Sequence, residues 1–153
     1  TFEASLDHVF GMWTQPEHFF VWLPPKDAKI KFYNGEIKTG SETFYCMEGS
    51  FGTLYGKSNY LGVLPNKRIV YTQQFCDEDQ NIIRHPMAPT WPETMQCTVL
   101  FESEDALLTR VTVVSQVYGN ASEEERDTFF QAKSDMTQGW TGSFDKLEKY
   151  LLE

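Results

Sequence analysis

The C-terminal segment constrains the fold more than any other part of the chain. From Ser122 to Leu152 the apolar residues Phe129, Ala132, Met136, Trp140, Phe144, Leu147 and Leu151 recur at spacings of three or four. That spacing is the buried stripe of one long amphipathic helix. Ser122 and Glu125 form an S-x-x-E capping box at its start, and Glu123 and Glu124 complement the helix dipole. A stripe of that length has to be covered, and the dry face of a sheet is the partner that the rest of the chain can supply.

Residues 27–118 supply it, because their periodicity switches from helical to alternating. Ala28, Ile30 and Phe32 alternate with Lys29 and Lys31, as on a half-buried strand. Further strands are expected over Glu42–Met47, from Gly52 to Leu64, and over Arg68–Phe75, where Ile69, Tyr71 and Phe75 share a face. Met95, Cys97, Val99 and Phe101 alternate with polar neighbours; after an acidic turn at Glu102–Asp105, Val111, Val113, Ser115 and Val117 do the same. Strands joined by short turns predict a six-stranded antiparallel meander with one wet and one dry face. Ahead of it, Leu6, Val9, Phe10 and Trp13 mark a short helix capped by Ser5, and Pro16–Leu23 marks a second that Pro24-Pro25 stops. Thr1-Phe2-Glu3-Ala4 reads as the tail of a truncated first strand. With no repeat, linker or low-complexity segment, residues 1–153 are expected to form one α+β domain.

Composition then excludes several functions. Thirteen basic against 22 acidic residues give a net charge of −9, which repels phosphate backbones and anionic bilayers. Neither nucleic acid nor membrane is therefore expected as a partner. Cys46, Cys76 and Cys97 are an odd number without a CxxC, which argues against a disulfide framework and suits a reducing cytoplasm. No run approaches the roughly 18 apolar residues of a membrane span, and no signal-peptide pattern opens the chain. His8, His18 and His85 lack metal-ligand spacing, and no GxSxG or phosphate-binding glycine loop occurs. No metal or cofactor is therefore expected, and these patterns single out no catalytic residue. Asp77-Glu78-Asp79 and Glu123-Glu124-Glu125 sit at a turn and a helix start, where solvated surface is the simpler reading. Aromatic residues make up 15% of the chain, a share suited to a wide core or a lined pocket.

Two short helices, a meander and one long terminal helix make the helix-grip arrangement, a curved antiparallel sheet wrapped around the C-terminal helix. Particular residues carry the resemblance further: Phe2-Glu3-Ala4, Trp13-Thr14-Gln15-Pro16-Glu17-His18 with Trp22, Pro65–Thr72, and Gly139-Trp140 followed by Leu147 and Tyr150-Leu151. In their order and spacing the chain resembles the SRPBCC (START and birch-pollen-allergen-like) superfamily. Within it, the chain is similar to the group related to the C-terminal domain of the heat-shock-protein-90 ATPase activator. His85–Pro92 also looks like a loop of bacterial members. Gln15 departs from the family's usual Asp cap before the proline, and Leu23 stands where many members carry a second Trp. The activator's separate N-terminal domain has no counterpart here.

The resemblance implies a cavity between sheet and helix. Tyr45, Tyr71, Met95, Cys97, Met136 and Trp140 would line it, with Trp22 beside them and Ser115 among the polar tips that orient a ligand. For each residue alone, plain core packing is the competing reading. Gly139 and Gly142 each cost the last helix roughly 1 kcal/mol against Ala, which points to close backbone approach, to a kink, or to room left for a ligand. His85, Met87 and Trp91 lie in a segment that reads either as a lid over the mouth or as a rigid connector capping the core. The expected partner is a small apolar or amphipathic molecule. A homodimer, a co-chaperone-like interaction, and a cyclase- or hydrolase-like enzyme using Tyr45, Tyr71 or His85 stand as alternatives.

Overall fold

The computed structural model describes residues 1–86 and 88–153. Helices α1 (Leu6–Thr14) and α2 (Pro16–Trp22) precede strands β1 (Ala28–Gly35), β2 (Glu42–Gly49), β3 (Gly52–Leu64), β4 (Arg68–Cys76), β5 (Ile82–Ile83), β6 (Met95–Asp105) and β7 (Leu108–Val117). Helices α3 (Glu123–Gln131) and α4 (Lys133–Leu151) close the chain. The strands form one antiparallel sheet in the order β1-β2-β3-β4-β6-β7, with the two-residue β5 added beside β4. This is the helix-grip arrangement that the periodicity predicts.

Both N-terminal caps behave as their residues dictate. The Ser5 hydroxyl accepts the His8 amide at 3.3 Å, whereas Gln15, in place of a shorter Asp, makes no side-chain cap for α2. Phe2 pairs with Thr109 through reciprocal backbone hydrogen bonds of 2.8 and 2.9 Å, so the N-terminal residues do lie along β7.

The core sits at one end of the layer between sheet and helix. Trp13 and Trp22 meet edge to face at 4.6 Å, Phe101 and Phe144 flank Trp13, and Leu147 of α4 is fully buried against them. Such ring pairs add about 0.5–1.5 kcal/mol beyond their buried area.

Four expectations change. The register of β1 slips at Lys31: Ile30 faces Met47, but Phe32 faces Cys46. This β-bulge turns Phe32 away from the face of Ile30, toward Phe44 and Tyr55 on the outer side of the sheet. Tyr33 takes the inner position and stacks on Phe20 at 4.9 Å. Glu102–Asp105 belongs to β6 rather than to a turn, because pairing with β7 continues to Asp105↔Leu108. A two-residue strand, β5, interrupts the long loop after β4. The terminal helix is broken at Ala132, whose amide is shared among the carbonyls of Thr128, Phe129 and Phe130, tightening the turn. No residue of α3 is fully buried; Thr128 and Phe129 reach Thr90 and Trp91 instead of the core.

Candidate functional site

Between the inner face of the sheet and the first half of α4 lies a cavity of about 240 Å³. Alternation in the strands builds its floor: Tyr45 and Met47 from β2, Tyr71 and Gln73 from β4, Cys97 from β6 and Ser115 from β7. Met136, Gly139 and Trp140 of α4 form the roof, with Met95, Phe19 and Leu23 at the sides. A wider groove beside it, about 580 Å³ and lined by Val113, Phe129 and Phe144, shares Ser115, Met136 and Trp140 as common walls.

Polar side chains share the cavity wall with the apolar ones, and several are paired with each other. Gln73 Nε2 donates to the Tyr45 hydroxyl at 2.7 Å. Tyr45 needs Gly56, its direct neighbour across the β2–β3 pair, because a Cβ there would lie 2.3 Å from the ring carbon Cζ. The hydroxyls of Tyr71 and Ser115 are hydrogen-bonded to the Cys97 thiol. Ser143 donates to the Leu23 carbonyl at 2.6 Å, tying the α2 exit to α4. Burial pushes Tyr45 up to about 12, tempered by the Gln73 hydrogen bond, and raises Tyr71 well above an ordinary phenol. Burial also lifts the Cys97 thiol to about 11. Tyr45, Tyr71 and Cys97 are therefore neutral at pH 7, and among the described residues no Asp, Glu, Lys, Arg or His lines the cavity.

Arg84, Thr90 and Trp91 fasten the chain ahead of β6 to α3. Arg84 bonds Glu125, the same carboxylate that accepts the Ser122 amide at 2.9 Å in the capping box. The hydroxyls of Thr90 and Thr128 are hydrogen-bonded at 3.0 Å, and the rings of Trp91 and Phe129 meet at 5.6 Å. Trp91 lines the cavity, so this segment joins the site rather than only capping the core.

Of the sequence candidates, Tyr45, Tyr71, Trp91, Met95, Cys97 and Ser115 come together around this space with Met136, Gly139 and Trp140. Trp22 does not line it. Its ring is fully buried beside Trp13, and its Nε1 donates to the Met12 carbonyl at 3.0 Å. His85 lies elsewhere, its ring 4.6 Å from that of Phe75, and burial lowers its pKa. Met87 lies outside the described residues. A Cβ on Gly139 or Gly142 would meet nothing within 4 Å, so close approach is not their reason. Sequence reasoning passed over Met47 and Gln73, although each stands two residues from a chosen Tyr on the same strand face. The alternation was the available signal, and the polarity of Gln73 masked it.

Solved structures reproduce the fold. The crystal structure of protein Ms6760 from Mycobacterium smegmatis matches with TM-score 0.78, at 18% identity, over 98% of this chain and 85% of the other. A solution structure of an Arthrobacter aurescens protein matches with TM-score 0.76, at 20% identity, over 98% and 81%. The crystal structure of the AHSA1 protein of Silicibacter pomeroyi matches with TM-score 0.74, at 14% identity, over 99% and 92%. At these identities the likeness defines the class of fold. The family model for activator of Hsp90 ATPase homolog 1-like proteins (AHSA1) matches residues 3–152, and the chain belongs to that family. No match was found among curated protein sequences.

Proposed function

We propose that the protein is a binding module for a small, uncharged, apolar or amphipathic molecule held between the sheet and α4. The observation that carries this reading is a cavity of about 240 Å³ whose described lining includes no charged side chain. An apolar cavity of about 150 Å³ accepts benzene, and typical ligand sites span roughly 300–1,000 Å³, so the fit is to a compact ligand of one or two rings. Burying an unpaired charge there would be costly, which favours a neutral molecule. Catalysis has less support, because phenols and a thiol that stay protonated at pH 7 are poor general bases. A co-chaperone role is suggested by the family description alone.

Native mass spectrometry of the freshly purified protein tests the proposal, followed by thermal-shift screening against neutral aromatic compounds. A co-purifying mass or a stabilising compound is expected, and Trp140→Ala should weaken its binding while the fold survives. Absence of both from the wild-type protein would overturn the reading.

A further inference from the structure

The polar floor of the cavity has two parts. Tyr71 and Ser115 are engaged with the Cys97 thiol. Ser58, Gln73 and Tyr45 make up the other part, on the side of β2, β3 and β4. Ser58 stands directly opposite Gln73 across the β3–β4 pair, and side chains so placed have Cβ atoms roughly 5 Å apart. The absence of a side chain at Gly56 lets the Tyr45 ring lie across β3, which brings its hydroxyl to Gln73 at 2.7 Å. Ser58 is only 4% exposed, and its hydroxyl has no partner among the described residues. The sealed polar atoms that lack a partner are those of Trp13, Thr43 and Trp91; the Ser58 hydroxyl is not among them, so it keeps surface of its own on the cavity wall. Gln73 is half-buried, with Ser58 and Met95 opposite it on the two neighbouring strands, so the surface it keeps is turned to the same space.

We infer that the ligand carries a neutral hydroxyl, as a phenol or an alcohol does, which rests on Ser58 and Gln73 while its apolar body lies under Met136 and Trp140. This rests on the ligand-binding reading above and adds the ligand's class and its direction in the site. Either turn of the Gln73 amide leaves the Tyr45–Gln73 pair with a hydrogen to give and a lone pair to accept with, and the Ser58 hydroxyl can do both as well. A hydroxyl is the smallest neutral group that answers both halves of such a floor. An ether accepts but gives nothing, and a hydrocarbon leaves the floor without partners once water is expelled. A carboxylate would bring a charge that no described lining residue matches. Opposite the floor, Phe19, Leu23, Met136 and Trp140 offer only apolar surface or an indole ring, so the hydroxyl has one side to turn to.

Three naphthalenes test this: 2-naphthol, which donates and accepts, 2-methoxynaphthalene, which only accepts, and 2-methylnaphthalene, which does neither. Each is titrated by calorimetry at pH 7 into wild-type protein and into Gln73→Met, whose side chain has similar length and no amide. Each probe is compared only with itself, so differences in hydrophobicity cancel. Gln73→Met should weaken 2-naphthol about tenfold and 2-methoxynaphthalene clearly less, leaving 2-methylnaphthalene nearly unchanged. Ser58→Ala, a smaller change, should weaken 2-naphthol about threefold with the same selectivity, and it decides the matter if Gln73→Met does not fold. In either variant, a loss for 2-naphthol no greater than that for 2-methylnaphthalene overturns the inference and leaves the binding-module reading standing. Equal losses for 2-naphthol and 2-methoxynaphthalene also overturn it, since an acceptor alone would then suffice. If none of the three binds the wild-type protein, the reading for compact aromatic ligands falls, and the inference falls with it.

Discussion

The two halves of α4 lie over the same sheet and do different work. Toward the C-terminus, Phe144 packs against Phe2 and Trp13 and Leu147 is fully buried, because α1 and α2 fill the space between helix and strands. Toward the N-terminus no described helix fills that space, and the cavity takes its place. Trp140 is half-buried, Gly139 is exposed with open space about its Cα, and α3 before the break buries no residue. The helical period is the same on both sides. What differs is the number of layers beneath it, so a single amphipathic stripe becomes core at one end and cavity roof at the other.

The sharpest way to break this contrast is truncation on each side. Leu147→Ala should destabilise the protein by roughly 2–5 kcal/mol, the range for a packed leucine. Met136→Ala, on the cavity side, should cost clearly less in the same urea titration. Equal losses would mean that the roof is packed as tightly as the core. A smaller effect, of opposite sign for stability and binding, is expected at Gly139. Alanine there meets no atom within 4 Å and should stabilise the helix by about 0.5–1 kcal/mol. The same methyl narrows the cavity roof, so affinity for any ligand found should fall. A stabilised variant with undiminished affinity would show that this glycine is not kept for the site.

The smallest effect concerns pH. Glu125 is held below the usual carboxylate range by the Ser122 backbone hydrogen bond, with the Ser122 side chain and Arg84 adding to it. A depressed carboxylate contributes stability that is present above its unfolded pKa, near 4.5, and lost as pH falls through the lower folded value. Amides of α3 should therefore lose exchange protection below about pH 4.5, before those of α1. Glu125→Gln at neutral pH should reproduce the loss. Uniform protection of both helices down to the global acid transition would contradict this.

Much of this contrast was legible in the residues, and its exceptions have physical reasons. The stripes of α1 and α4, the Ser5 and Ser122 caps and the dry strand faces were readable because burial repeats with a fixed period. Placing Tyr45, Tyr71, Cys97 and Trp140 around one space took the family resemblance as well as that period. Trp22 could not be assigned, since a helical aromatic one residue from Leu23 gives no sign of which of the two meets the core. The break at Ala132 was hidden, as no Pro or Gly stands at Gln131-Ala132-Lys133. Pairing of Arg84 with Glu125 joins residues far apart in the chain, which no local pattern can show.

The bulge at Lys31 has a consequence for counting. On a regular strand, residues separated by an odd number of steps never share a face, yet Ile30 and Tyr33 both reach the inner side while Phe32 does not. One unpaired residue reverses odd and even for all of β1 that follows. Removing Lys31 alone would leave Phe32 opposite Cys46 and Tyr33 opposite Tyr45, each on the face that it holds now. A relative lacking that one residue would therefore keep the same side chains inside and outside along this edge, on a strand without the bulge.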